Sequence, residues 1–373
     1  MDNQTLQPDN RNKAQININS FYTVSVIGKG SYAKVLLVKK KDDGKFFALK
    51  RLKKSMIEKK KQENHVKTER NILVEVDDSP FVVKLSYTFQ NAKYLYFVLE
   101  YCSGGELFNL LQKKRRLSEN QTKFYAAQMI LALEHLHKYN IVYRDLKPEN
   151  VLITSNGYIK ITDFGLSKMN VNKNDAKSIC GTPEYLAPEI LMKIGYGKAI
   201  DWWTLGNILY EMMVGIPPFY TNNRTELFEK IKFVHPRYPS FLSATAKNLI
   251  ESLLKKDPTK RLGSQKGAAE IKEHPFFKNI NWTWMEEQKY DPFFIPKVNK
   301  NYGLHNFDAE FTELPIESLG ISSDRTGPYK QFEGFTFNLD AKKVEDKADS
   351  LDSQNSTGMI LEKLTDNNEF IEE

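Results

Sequence analysis

The 373-residue chain contains no apolar run long enough to cross a bilayer, no secretory leader pattern and no glycine at position 2 for myristoylation. Direct membrane insertion is excluded on those grounds. Only two cysteines are present, Cys102 and Cys180, which rules out a disulfide framework or a cysteine-built zinc site and fits a reducing cytoplasmic or nuclear compartment. Excess charge is scarce as well: 54 Lys and Arg against 47 Asp and Glu leave +7, too little at this length for a dedicated nucleic-acid binder. The basic runs Lys59–Lys61 and Lys113–Arg116 read as solvated helix faces. No internal repeat is evident, and 40% hydrophobic with 27% charged residues describes an ordinary globular protein, with material for two domains or one large one. Nothing demands more than a monomer.

Against that background one stretch is dense in chemistry. Ile141 to Gly165, IVYRDLKPENVLITSNGYIKITDFG, carries Asp145, Lys147, Asn150 and Asp163 within 25 residues, divided by the strand-like Val151-Leu152-Ile153 and a hairpin signal at Ser155-Asn156-Gly157. Phosphoryl transfer needs positioning and charge stabilisation more than covalent help, so each group can be given a task. Asp145 would orient or accept the proton of an attacking hydroxyl, and Lys147 would neutralise the travelling phosphate. Asn150 and Asp163 are hard oxygen donors of the kind that hold Mg²⁺ between protein and substrate phosphates. A lone Asp-Phe-Gly is ordinary turn punctuation. Its place 18 residues after Asp145, across the hairpin, argues against that reading.

Upstream, FYTVSVIG, the turn Gly28-Lys29-Gly30-Ser31-Tyr32-Ala33 and VLLV predict strand, glycine turn and strand, with bare backbone able to approach phosphates. The strand after the turn excludes a dinucleotide fold, which needs a helix there, and GxxxxGK is absent. The strand Lys45 to Arg51 offers Lys50, and the helical stretch Gln62 to Val74 offers Glu69 as a matching acid. Phe81 to Leu99 alternates as two more strands leading into Leu99-Glu100-Tyr101-Cys102. Ser118 and Gln121 form a capping box for a helix with Tyr125, Met129, Ala132, Leu133 and Leu136 on one face. Asp201 to Val214 is apolar nearly all round, which predicts a buried helix.

YRDLKPEN, DFG, the glycine turn, Phe-Ala-Leu-Lys50 and Ala187-Pro188-Glu189 resemble the eukaryotic protein kinases, with Tyr143 where His is usual and Ala33 where a third glycine is usual. GTPEYLAPE, DWW, Asn306-Phe307-Asp308 and Phe332-Glu-Gly-Phe335-Thr336-Phe337 narrow the likeness to the AGC group. Within it the chain resembles protein kinase B and the serum- and glucocorticoid-inducible kinases, from about Phe21 to Phe337. The resemblance implies an α+β, bilobal protein-kinase fold in residues 21–278. Residues 21–101 would form a small, mostly antiparallel β lobe with one main helix, 102–278 a larger, mainly helical lobe, and 279–337 a C-terminal extension. Residues 1–20 read as a disordered leader without room for a lipid-binding domain, and 338–373 as a disordered acidic tail.

The same resemblance implies ATP and Mg²⁺ as cofactors. It gives a nucleotide site of Gly28, Lys29, Gly30, Ser31, Tyr32, Ala33, Val35, Ala48, Lys50, Glu69, Glu100, Cys102, Leu152 and Phe307. It assigns an activating phosphosite to Ser178, facing a basic pocket of Arg144, Lys168 and His65, and a second phosphosite to Thr336. An upstream activating kinase would dock on the hydrophobic motif around Phe332 and Phe335. Ser318 and Ser322 are candidates for a turn-type site, in a segment without Ser-Pro or Thr-Pro. Glu106, Glu149 and Glu211 would favour substrates with Arg at −3, reinforced at −5 or −2, while Ile179, Pro183 and Leu186 would favour an apolar residue after the acceptor. Thr182 beside Asp145 goes with Ser or Thr acceptors, Glu189 would pair with Arg261, and Asp201 would hold the catalytic-loop backbone. The expected activity is transfer of the γ-phosphate of MgATP to Ser or Thr in proteins with basic motifs. A catalytically dead scaffold would have lost Lys50, Asp145, Asn150 or Asp163, and all four are present. A small-molecule phosphotransferase would have no use for the Ala-Pro-Glu segment or the hydrophobic motif.

Overall fold

The computed structural model describes residues 15–30, 33–171, 180–298, 302–316 and 331–344. Strands β1 (Phe21–Lys29) and β2 (Ala33–Lys40) form the expected hairpin, with Gly30 N donating to Ala33 O at 2.8 Å. β3 (Phe46–Lys53), helices α1 (Lys54–Lys59) and α2 (Glu63–Glu75), β4 (Leu85–Gln90) and β5 (Tyr94–Glu100) complete the small lobe. The strands pair antiparallel in the order β1-β2-β3-β5-β4. Strand periodicity sorts the side chains of β5: Leu95, Phe97 and Leu99 join the main core under α2, while Tyr96 and Val98 join a second layer with Phe21, Tyr87 and Phe89.

The larger lobe begins with α3 (Leu107–Lys114) and α4 (Glu119–Lys138). The predicted capping box starts α4: the Ser118 hydroxyl accepts from Gln121 N at 3.3 Å, and the Gln121 side chain accepts from Ser118 N at 3.0 Å. Short strands β6 (Ile141–Val142), β7 (Val151–Ile153), β8 (Ile159–Ile161) and β9 (Lys168–Met169) pair as β6 with β9 and β7 with β8. After α5 (Pro188–Leu191), α6 (Ala199–Val214) is buried on every side along most of its length, as its composition predicts, and stops at Gly215 with φ 97°. α7 (Arg224–Phe233), α8 (Ala244–Leu253), α9 (Ala268–Lys272) and α10 (Trp282–Glu286) pack around α4, α5 and α6. The chain then returns to the small lobe. α11 (Ala309–Thr312) lies against β1, and β10 (Phe337–Asn338) extends the sheet to six strands by pairing with β4. The α+β, two-lobed expectation is met.

Two boundaries differ from expectation. Of the leader assigned to disorder, Ile18–Ser20 form a 3₁₀ turn capped by Asn17, whose side chain accepts from Asn19 N at 2.9 Å. Ile16 and Ile18 cover the outer aromatic layer of the sheet beside Phe311 and Leu314. The start of the assigned acidic tail is ordered as well: Asn338 lies in β10, and Tyr87 donates to Asp340 Oδ2 at 2.6 Å. Composition judged both segments by their own polarity, whereas each is held by surface that the small lobe supplies. Residues 1–14 and 345–373 lie outside the described residues.

The expected Glu189–Arg261 pair forms as a two-pronged contact, 2.6 and 2.9 Å, with both side chains essentially without solvent. Breaking a buried pair from one side strands the other charge, which costs about 3–5 kcal/mol. Glu189→Ala should therefore lower the melting temperature of the protein sharply, measured by calorimetry; an unchanged transition would show that Arg261 is satisfied without it.

Candidate active site

The loop carrying Asp145 is held from below by Asp201 of α6. Its carboxylate accepts from Tyr143 N at 3.0 Å and Arg144 N at 2.8 Å, and meets His137 Nε2 at 2.8 Å. This support lets Arg144 keep a left-handed backbone, φ 70°, that a side-chain-bearing residue rarely adopts. Asp145 then faces two partners: Lys147 Nζ at 3.0 Å, and Asn150 Nδ2, which donates at 2.8 Å to both the Asp145 carboxylate and its carbonyl. Lys147 also donates to Thr182 Oγ1 at 2.9 Å, joining the loop to the segment that precedes α5.

Across the cleft, Lys50 of β3 donates to Glu69 of α2 at 2.6 Å and to Asp163 at 3.1 Å. Burial alone would push the Lys50 ammonium down; the Asp163 and Glu69 carboxylates outweigh it and hold it well above its usual range. In turn the Lys50 charge holds the Asp163 carboxyl below its ordinary value against burial. Asp145 goes the other way, raised by burial that its Lys147 and Asn150 contacts offset only in part. Asn150 spends its amide nitrogen on Asp145, which leaves the amide oxygen as an acceptor, and the Asp163 side chain is 52% exposed. This pair of hard oxygen donors fits a Mg²⁺ ion, which takes one or two protein oxygens and completes its shell with water and phosphate.

Between the lobes lies a cavity of about 210 Å³. Gly28, Val35, Ala48, Lys50, Glu69, Cys102, Asn150, Leu152, Asp163 and Phe307 line it, so most of the expected nucleotide set converges. Phe307 stacks on Tyr101 with ring centroids 5.8 Å apart, and the neighbouring Asn306 donates to Ser103 O at 2.9 Å, anchoring the C-terminal extension on the segment that joins the two lobes. Lys29, Gly30 and Ala33 sit at the hairpin turn and do not line the cavity; Ser31 and Tyr32 lie outside the described residues. Glu100 borders the cavity, but its carboxylate turns to the buried Lys160 at 3.0 Å. Ile27, Leu73, Val83 and Thr162, which no motif singles out, also line it, as does Leu99 of the run Leu99-Glu100-Tyr101-Cys102. The period-two alternation of β5 was the available signal for Leu99, which shares a face with Leu95 and Phe97.

The expected acids also gather. Glu106 and Glu149 lie within electrostatic reach of each other, as do Glu149 and Glu211, and Tyr185 donates to Glu211. Glu149 Oε2 is buried without a hydrogen-bond partner among the described residues. Pro183 opens the 3₁₀ turn ending at Tyr185, followed by buried Leu186; Ile179 is outside the described residues. Of the basic set, Arg144 donates to Leu166 O and to Tyr196 Oη, the latter at 2.6 Å, and Lys168 lies in β9 opposite Val142. His65 is exposed, and its Nδ1 lies 2.6 Å from Gln62 Oε1, so it is joined to its own helix start rather than to Arg144. Ser178, Ser318 and Ser322 lie outside the described residues. Thr336 is exposed, between the docked Phe335, whose ring meets Phe97 edge-on at 5.2 Å, and β10. Its carbonyl accepts from Arg70 of α2 at 3.4 Å.

Burial, then the charges of Glu149 and Asp308, push Glu106 from 4.5 up to about 7. The folded state thus binds this proton more readily than the unfolded chain, and the group costs stability as pH rises from about 4.5 through about 7. Glu106→Gln should raise the melting temperature at about pH 8 and give much less gain at about pH 5. An equal shift at both would assign the effect to packing.

Residues 21–277 match the family described as "Protein kinase domain". Protein kinase 2 of Dictyostelium discoideum is 47% identical over 335 residues, 89% of this chain and 70% of that protein. Serine/threonine-protein kinase Sgk1 is 49% identical over 306 residues in both Fundulus heteroclitus and Homo sapiens, covering 82% of this chain and 71% of each relative. Among the described residues no helix is long and apolar enough to cross a membrane. On the sequence likeness and on the fold, the chain belongs to the protein kinase family, as an ATP-using serine/threonine kinase of the AGC group that acts on protein substrates.

Proposed function

We infer that this kinase transfers the γ-phosphate of MgATP to serine or threonine in segments with arginine at −3. The observation that carries the reading is the convergence of the Lys50–Glu69–Asp163 network and the Asp145–Lys147–Asn150 cluster on one cleft. Lys50 holds the nontransferring phosphates, and Glu69 fixes Lys50. Asp145 orients the substrate hydroxyl and accepts its proton as the new oxygen–phosphorus bond forms and the bond to the ADP oxygen breaks. Lys147, held by Thr182, balances the charge of the phosphoryl oxygens in flight. Asn150 and Asp163 would hold Mg²⁺, which supplies charge neutralisation on the phosphates.

Glu106, Glu149 and Glu211 receive the substrate arginine. Burial first, and the neighbouring Glu149 carboxylate after it, raise Glu106 and Glu211 to about 7. A partly desolvated Arg–carboxylate bond is worth about 1.5–3 kcal/mol, above the roughly 1.4 kcal/mol that tenfold selectivity needs; an exposed pair, about 0.2–1 kcal/mol, falls short. Ile179, Pro183 and Leu186 receive an apolar residue after the acceptor.

Phosphate on Ser178 would carry nearly two negative charges and draw Arg144, Lys168 and His65 together, joining the catalytic loop, the Asp163 loop and α2. Thr336, beside Arg70, is the second site, and the motif around Phe332 and Phe335 is where an upstream kinase docks. The protein works as a cytoplasmic or nuclear monomer in this reading.

Lys50→Met and Asp163→Asn should each abolish transfer while leaving circular dichroism unchanged, and Asp145→Asn should lower kcat by about 10²–10⁴-fold. Retained turnover in any of them would break the assignment. Transfer to an Arg-x-Arg-x-x-Ser peptide should rise when Ser178 carries stoichiometric phosphate, and Glu106→Ala should flatten the preference for arginine at −3. A peptide-array profile indifferent to Glu106 would remove it from the recognition of substrate.

A further inference from the structure

A groove of about 850 Å³ opens on the larger lobe between the end of α4, the start of α6 and the loop before α9, and shares no lining residue with the nucleotide cleft. Exposed Lys138, Lys198 and Lys266 stand around it. Its carboxylates are committed elsewhere: Glu134 pairs with Lys272, and Glu189 with Arg261. The loop's backbone donors are committed too, since Gly263, Gln265 and Lys266 donate to Glu270 Oε2 at 3.0, 3.3 and 3.3 Å. Lys198 donates to Asn140 at 3.0 Å, whereas Lys138 and Lys266 have no carboxylate partner among the described residues. The groove therefore presents net positive charge around an apolar wall in which Ile194 is 62% exposed. The buried indole N–H of Trp202, another wall residue, has no hydrogen-bond partner among the described residues. An acidic segment with an apolar centre is the chemical complement of such a surface.

The sequence contains one. Residues 345–373 carry nine Asp and Glu against two Lys, and enclose the apolar cluster Met359-Ile360-Leu361 and Leu364, in which Ile360 and Leu361 stand four and three residues before Leu364. The last described residue before that segment is Val344, on the side of the small lobe that meets the end of α4. Lys342 lies 3.6 Å from Asp77, and the adjacent Asp78 lies 3.0 Å from His135 of α4, three residues before Lys138. Each further residue can advance the chain by up to about 3.3 Å, so the distance is spanned with length to spare. Tethering also raises the local concentration of the segment to about the millimolar range, which makes a modest affinity sufficient.

We propose that residues 345–373 dock in cis in this groove, with their carboxylates on Lys138, Lys198 and Lys266 and their apolar cluster on the Ile194 wall. The docking depends on surface charge and chain tethering, and it stands or falls independently of the phosphate-transfer assignments.

The test is zero-length carbodiimide coupling of carboxylates to lysines on the intact chain, read by peptide mass spectrometry on an equal mixture of isotopically light and heavy protein. Links from 345–373 to the three groove lysines, within one label and about tenfold weaker in Lys138→Glu/Lys266→Glu, equivalent to about 1.4 kcal/mol, are the expected result. The yield should also fall as ionic strength rises from about 0.15 M to about 1 M, which shortens the screening length from about 8 Å to about 3 Å. Links joining light to heavy chains would overturn the proposal in favour of a second copy as occupant. Links spread over other surface lysines and indifferent to the double reversal, or no links from this segment, would overturn it outright. A thermal melt of the variant, whose two changes are at exposed positions, separates loss of docking from loss of fold.

Discussion

The buried ammonium of Lys50 constrains more of this molecule than any other single group. A cation taken out of water is tolerable only with its counter-charges in place, and those come from parts of the chain 19 and 113 residues away. Bringing Glu69 to it fixes the rotation and height of α2 against the sheet. Bringing Asp163 to it fixes the loop after β8, where Asp163 accepts a left-handed backbone, φ 58°, to reach. The cleft between the lobes is what remains when both conditions are satisfied at once.

The position of α2 is therefore decided from two sides. Its inner face carries Glu69 to Lys50, and its flank carries Arg70 to the C-terminal extension, where the guanidinium reaches the Thr336 carbonyl and lies over Phe337. The extension is itself keyed into the sheet. Phe335 packs on Phe97, Thr88 donates to the Phe335 carbonyl, and Gln90 exchanges hydrogen bonds with the Phe332 backbone at 2.8 and 3.1 Å. These contacts make a physical path from the C-terminal extension to the charged network: extension, helix, Glu69, Lys50. Each link is a packed or hydrogen-bonded contact.

The two sets of acids at the cleft behave differently for the same reason. Asp163 has the Lys50 charge beside it, which holds its carboxyl below its ordinary value. Glu106 and Glu211 are more deeply removed from water, and burial above all, with the nearby Glu149 carboxylate adding to it, lets them hold protons up to about 7. Asp145 lies between these limits, buried and yet supported by Lys147 and Asn150.

Much of the fold was legible from pattern: the capping box of α4, the all-round apolar α6, the hairpin of β1 and β2, and the stretch from Asp145 to Asp163 depend on local spacing, which a sequence carries in full. The ordered turn at Ile18–Ser20 and the first residues of the acidic tail were not, because their partners are distant surfaces. The chain by itself determined which chemical groups are present and which neighbours share a loop or a helix face, since those follow from bond geometry and periodicity. Only the tertiary structure decided that Glu100 turns to Lys160, that His65 rests on Gln62, and that burial, with Glu149 nearby, raises the proton affinity of Glu106 and Glu211. Desolvation and charge pairing depend on what packing brings within a few ångströms, and that is a property of the folded chain.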